Sequence, residues 1–443
     1  VINWQDDGAE IRQFPRAAIR NASYFLRPHI TWSKVSSGRP SFRWVPENFL
    51  FDGAAGALFV RGTVVWQNVL GLLNSTVMED VLDAYAPTLN FTEGNISALP
   101  VPAEVNSLDV SAEVDRLTKS SAEDWATSET AWDFRGLGLG DAKRVEEWIL
   151  ELRSGAAMRV SEMRALEIAV DRKVAKSFGL QDWKTSSAED PGDLSLRRNP
   201  FAPELRSGLS AGDLVEDLVS YFVGCLFGRY GLDREGLILA DQGSTLQDFL
   251  QRVPSPSFRP DEDNIIPIVD GDWFEDDIVE RFRQFLRVAF GEEHFEANLR
   301  FVTKSLGVKN MRDYFVKSFY KDHVQRYRKR PIYWLFSSPN GSFNALIYMH
   351  RYTPSTVSTV LNEYLREFQA KLKASLEHAE GSNNGKEADR LRKMLMELDG
   401  YEHDVLYPLA TQNIAIDLDD GVKVNYPKFG AALKKIPGLE ASE

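Results

Sequence analysis

Apolar positions recur at helical spacing along most of the chain, and at alternating spacing in a few short stretches. Val65, Val69, Leu73, Val77, Val81 and Tyr85 stand four apart, which predicts a helix from about Val64 to Tyr85 that Pro87 ends. Before it, 41–45, 48–51 and 57–61 read as short strands. Met163, Leu166, Val170, Val174 and Phe178 form a second helical stripe, with Gly179 placed to end it in the left-handed conformation. Residues 181–209 hold Pro191, Pro200 and Pro203 among Gly, Ser and Asp and predict a linker or long loop. From Ser210, a candidate N-cap with Asp213 in the first turn, a helical region runs to about Arg326. Pro331–Ser338 and Ser342–His350 then predict a β-hairpin around Asn340-Gly341, because Asn-Gly tolerates the positive φ of a tight turn. Thr353 is expected to cap the next helix, with Pro354 in its first position and a stripe of Val357, Leu361, Leu365, Phe368, Leu372 and Leu376. A return helix through Leu391, Leu395 and Leu398 would complete a two-helix arm.

These elements predict a mostly helical α+β chain: a mixed α/β unit over 1–105, a helical spacer over 106–180, the linker at 181–209, and a helical domain over 210–443 carrying the hairpin 331–350 and the arm 353–410. Apolar residues at 43% and charged residues at 26% are ordinary globular values. No run approaches the roughly 20 apolar residues of a membrane-spanning helix, and the start of the chain lacks a signal-peptide pattern. Cys225 is the single cysteine, which excludes an internal disulfide framework and makes a cytoplasmic chain the simplest reading. A chain that opens on Val and reads at once as folded sequence also suits a piece of something longer.

Charge changes the picture. The net charge is −13, yet 11–46 carries seven basic residues and no acid, and 300–330 carries ten against Asp313 and Asp322. An acidic protein with two concentrated basic stretches can repel nucleic acid over most of its surface and admit it at one place. The alternative is a solvated basic face paired with acidic runs such as Asp261 to Glu280. In the first island Tyr24, Phe25, Trp32, Phe42 and Trp44 are interleaved with the cations, and these aromatics read as core before stacking platforms.

Motifs for catalysis are mostly absent. There is no phosphate-binding loop, no HExxH, no CxxC, and the six His are scattered. Phe134-Arg135-Gly136-Leu137-Gly138 matches the glycine-rich string of adenosylmethionine-binding loops, but the polar DWATSETAWD before it is not the apolar strand such a loop needs. Asn199-Pro200-Phe201 has one Pro where the adenine-holding motif has two.

Longer strings carry a resemblance. YFLRPHITWSKVSSGRPSFRWVPENFLFD, LLGLLNS and PTLNFTEGNISALPVP resemble the target-recognition regions of type I specificity subunits and of single-chain adenine methyltransferases. DWATSETAWDF, the block from Asp313 to Val357, and IDLDDGVKVNY resemble the C-terminal half of the adenine-specific DNA methyltransferases of BREX phage-defence systems, the PglX family. That resemblance implies a part that chooses double-stranded DNA, joined to a catalytic domain that uses S-adenosylmethionine to methylate adenine N6. This chain alone is then expected to hold no cofactor and to be catalytically inactive. Base reading is expected from the 27–43 loop, with Arg27, Lys34, Arg39 and Arg43 leading, and Thr31, Ser33, Ser36 and Ser37 are expected as further DNA contacts, since such hydroxyls can fix phosphates. Phosphate contact is expected from Lys317, Lys321, Arg326, Arg328, Lys329 and Arg330. Expected partners are the duplex, the catalytic domain, other BREX components and an acidic phage protein that mimics DNA, with no membrane. The rival reading is an interaction scaffold of the same defence complex that reads no bases.

Overall fold

A computed structural model describes residues 4–15, 17–36, 40–86, 88–103, 105–180 and 210–440. The chain forms two compact units, one of Val1–Trp125 with Ser154–Ser207, the other of Ala126–Arg153 with Gly208–Glu443. Both combine helices with one small antiparallel sheet, so the mostly helical α+β class holds. The predicted linker at 181–209 lies outside the described residues.

In the first unit, β1 (His29–Ser33) is the central strand, flanked by β2 (Arg43–Val45) and β3 (Ala55–Leu58). Ile30 faces Trp44 on one side, and Trp32 pairs with Gly56 on the other. A Cβ at position 56 would run into the Trp32 indole, so the large side chain and the glycine require each other. The Trp32 ring is buried and its Nε1 donates to the Phe91 carbonyl at 2.8 Å, which satisfies its one polar atom. Thr31 and Ser33, expected in a loop, thus stand on a strand. The expected strand at 48–51 does not form, because Asn48 has a φ of 73° and the Asp52 carboxylate gathers the Ala54 and Ala55 amides into a turn.

The expected helix 64–85 is two helices, Trp66–Leu73 and Thr76–Tyr85. Asn74 breaks it by behaving like a strand edge. Its Oδ1 accepts from the Phe42 amide at 3.0 Å and its Nδ2 donates to the Phe42 carbonyl at 3.0 Å. Ser75 then caps the second helix by accepting from the Met78 amide at 3.3 Å. Together they bury Leu70, Leu72, Leu73, Val77, Met78 and Leu82 in one core with Val110, with Val114 of the helix Ser111–Ala126, and with Val170 and Val174 of the helix Val145–Ser177. Val65, Val69 and Val81 of the expected stripe are half-buried and Tyr85 is exposed. Gly179, with φ of 73°, closes the helix Val145–Ser177 as its position predicts.

In the second unit the helix Ala211–Leu226 is buried over most of its length. It begins with a reciprocal cap, since Ser210 accepts from the Asp213 amide while the Asp213 carboxylate accepts from the Ser210 amide. The hairpin forms as β5 (Tyr333–Ser337) and β6 (Asn344–Tyr348), after β4 (Ile265–Pro267), in the order β4-β6-β5. Every residue of these strands is buried, so the sheet is covered on both faces. The arm starts later than Thr353. The Thr353 amide donates to Thr356 Oγ1 at 3.0 Å, a turn precedes the helix at Thr356, and a π-helical segment, Val360–Leu365, joins it to Arg366–Gly381. Its partner helix is Gly385–Tyr401.

His323 lies wholly inside this unit. Its Nε2 accepts from the Tyr333 amide at 3.2 Å, so a second proton on the ring has to displace that donor. Burial, reinforced by Arg326 and Arg229, pulls its pKa down to about 3, and burial pulls His350 down to about 4. A His whose folded pKa is depressed leaves the unfolded state holding more protons below about pH 6.5, so stability falls as the solution is acidified. From pH 6.5 to 5 each of the two groups removes about 2 kcal/mol. Asp261 acts in the opposite direction, because burial and the neighbouring Asp263 raise its pKa and the folded state then keeps the extra proton. Glu216, Asp276 and Asp322, whose pKa values burial also raises, act with Asp261, so the contribution of His323 is read from its own substitution. Urea denaturation at the two pH values is expected to show His323→Gln losing about 2 kcal/mol less than the parent chain over this interval.

Candidate nucleic-acid interface

The first basic island lies in the first unit and the second in the second unit. Arg12 is tied to Asp7 at 3.0 Å. Arg27 is exposed, with its guanidinium 5.5 Å from the Tyr24 ring centroid, a cation–π geometry that leaves its N–H fork free for an acceptor. The Thr31 hydroxyl is occupied, donating to the Gly56 carbonyl at 2.8 Å. Ser33 is exposed at the end of β1. Lys34 reaches Glu93 at 2.5 Å, and that hydrogen bond lowers the Glu93 pKa. Ser36 is half-buried and its amide donates to the Leu89 carbonyl at 2.9 Å. Ser37 and Arg39 lie outside the described residues.

Arg43 turns inward. On β2 it lines a cleft of about 740 Å³ together with Trp32, Trp44, Trp125 and three carboxylates, Asp124, Glu167 and Asp171. Its Nη1 donates to the Ser41 carbonyl at 3.4 Å, and its Nη2 is buried with no partner. Burial without a carboxylate beside it lowers the guanidinium pKa.

The second island is divided between anchored and outward-facing cations. Arg312 donates to Asp277 at 2.8 and 3.0 Å and reaches Asp272 at 2.5 Å, closing the cap of the helix Ile278–Phe290. Lys317 pairs with Asp313 one turn before it, which raises the Lys and lowers the Asp pKa. Arg326, expected from its place in the sequence to contact phosphate, is held by an acid of its own unit. It binds Asp217 at 2.5 Å and is largely buried, and although burial works against the charge, Asp217 and Glu129 outweigh it and raise its pKa. Lys321, Arg328, Lys329 and Arg330 are exposed. Arg328 and Lys329 have φ of 51° and 61°, two successive non-glycine residues in the left-handed region. Such a pair costs on the order of 1–3 kcal/mol per residue and is held by the amides of Arg328, Lys329 and Arg330, which donate to Gln325, Val324 and Tyr327. Arg300 and Lys309 of the same island share a notch of about 400 Å³ with Arg283, Thr303 and the carboxylates of Asp272 and Glu296.

The glycine-rich string does not fit S-adenosylmethionine. Phe134 is a core residue packed edge-on against Tyr221 and Tyr230, and a Cβ at Gly136 would meet the Tyr221 hydroxyl at 3.3 Å. The residues before it form turns where the cofactor loop needs a strand.

Comparison with curated proteins relates the chain to adenine-specific methyltransferases. It is 32% identical over 476 residues to the adenine-specific methyltransferase BrxX of Escherichia coli O9:H4 (strain HS), covering 99% of this chain and 39% of that protein. It is also 32% identical over 475 residues to the adenine-specific methyltransferase PglX of Lacticaseibacillus casei (strain Zhang), covering 99% of this chain and 38% of that protein. The chain is thus related along nearly its whole length to a portion of the BrxX and PglX adenine-specific methyltransferases, and spans just under two fifths of these relatives. No family profile matches it. Among the described residues no helix is long and apolar enough to cross a membrane.

Proposed function

We propose that the chain is the part of a BREX phage-defence adenine-N6 DNA methyltransferase that selects its double-stranded DNA site. The supporting observation is the match to two adenine-specific methyltransferases over 99% of its length. In this reading, transfer of the methyl group from S-adenosylmethionine belongs to a region of the longer relatives outside the matched stretch. A methyltransferase has to extract its adenine from the stack, so a separate surface must hold the flanking duplex.

Within the first unit, the stretch 27–43 supplies base contacts, led by the exposed Arg27 and Ser33, with Lys34 released from Glu93 on binding. Within the second, Lys321, Arg328, Lys329 and Arg330 contact phosphates, with Lys317 shared between Asp313 and the DNA. The catalytic domain and other BREX components are its protein partners, in the cytoplasm where the DNA is. An acidic protein that mimics the phosphate pattern would compete for the same cations.

The test is fluorescence anisotropy of a labelled duplex titrated with the chain at several salt concentrations. Saturable, salt-sensitive binding is expected, and Arg27→Ala should cost about 1–3 kcal/mol at one base pair while sparing affinity for unrelated sequences. A scaffold would give no saturable binding, and that result would remove the proposal.

A further inference from the structure

The cleft of the first unit has chemistry that groove reading does not use. Trp32, Trp44 and Trp125 stand on its lining. On its strand side, beside the hydroxyls of Thr31, Ser33 and Ser41, stands the donor-only guanidinium of Arg43, whose buried Nη2 has no protein acceptor. Thr76 Oγ1, also buried without a partner, lies on the same lining. Its helical side offers the opposite kind, the carboxylates of Asp124, Glu167 and Asp171, from the helices Ser111–Ala126 and Val145–Ser177. These carboxylates do not neutralise Arg43. Asp124 pairs with Arg159 at 3.3 Å, and Asp171 accepts from the Thr76 amide at 2.9 Å.

A buried guanidinium nitrogen left without an acceptor is destabilising, and a ligand that brings one removes that cost. A matching ligand is planar, to lie among the tryptophans. It needs acceptors on the edge facing Arg43 and donors on the edge facing the carboxylates. Guanine has this division: O6 and N7 accept together, while N1–H and the 2-amino group donate. Adenine presents its 6-amino donor beside N7 and would set a donor against the guanidinium. A volume of about 740 Å³ accommodates a nucleotide.

We propose that this cleft binds a guanine ring, with Arg43 on its O6/N7 edge. A free guanine nucleotide or an unstacked guanine in DNA supplies that chemistry, so the proposal goes beyond the DNA reading and does not need it.

Tryptophan fluorescence of the whole chain, titrated with GMP, with AMP, and with duplexes carrying one bulged guanine or one bulged adenine, tests it. Saturable quenching is expected from at least one guanine probe, at least tenfold tighter than its adenine counterpart. Quenching by GMP identifies the free nucleotide as sufficient, and quenching by the bulged guanine alone identifies an unstacked DNA base. Arg43→Gln should weaken the response at least tenfold, and Ser121→Phe, which narrows the cleft from its helical side, should abolish it. Circular dichroism melting establishes that each variant is folded. Should Arg43→Gln not fold, the Ser121→Phe and guanine-against-adenine comparisons still decide. No saturable quenching, equal response to guanine and adenine, or a folded Arg43→Gln chain that responds unchanged would overturn the proposal. Loss of plain duplex binding with guanine quenching intact would remove only the DNA reading.

Discussion

The combined replacement Lys321→Ala, Lys329→Ala and Arg330→Ala is expected to weaken binding to every duplex alike and to flatten the salt dependence. Each phosphate contact contributes about 0.9 to the slope of log affinity against log salt, so three contacts contribute about 2.7. Near 0.1 M salt, relative to 1 M, the same term amounts to a loss on the order of 500-fold, shrinking as salt rises. These three are the clearest choice because they are exposed and, among the described residues, none of them carries an ion pair in the way that Arg312 or Arg326 does. Their loss should therefore leave the melting temperature near that of the parent chain, since isolated surface charges contribute little to stability. Preference among sequences should also survive, because phosphates carry no sequence information. Anisotropy at four salt concentrations reads slope and affinity together. An unchanged slope would show that this turn does not face the DNA, whatever the first unit does.

Much of the local structure could be read from the sequence because it is determined locally. The hairpin follows from two apolar runs around Asn340-Gly341, where Gly341 takes a φ of 77°. The start at Ser210 follows from a cap and an acid three residues apart. What escaped was determined at a distance. The break at Asn74 depends on the Phe42 backbone, 32 positions away, and no periodicity reports it. Strand β4 is only Ile265–Pro267, between acidic turns, and exists because β6 accepts it as a third strand. The stripe from Val357 to Leu376 is helical throughout, but its spacing does not disclose the π-helical turn at Val360–Leu365. The same limit applies to function. A run of cations is visible in sequence, while the carboxylate that claims one of them is not. Arg43 is the converse case, a cation read as groove-facing that the strand turns into an aromatic cleft.

Arg326 separates these two kinds of basic residue most sharply. It stands among the cations expected to hold phosphate, yet its partner Asp217 comes from the helix Ala211–Leu226, 109 positions earlier, and both side chains are mostly covered, at 22% and 16% exposed. Glu129, buried and accepting from Tyr327 at 2.9 Å, lies in the same electrostatic neighbourhood. Arg326→Ala therefore takes the cation from an enclosed group of carboxylates, and such losses typically cost about 3–5 kcal/mol. The expected result in urea denaturation is a lower midpoint with little change in slope against denaturant, and no change in the salt slope of DNA binding by the fraction that remains folded. Pairing Arg326→Met with Asp217→Leu should recover much of the loss, because removing both charges also removes the cost of enclosing them. If Arg326→Ala proved as stable as the parent while the salt slope fell by about 0.9, the guanidinium would belong to the DNA and the ion pair would be incidental.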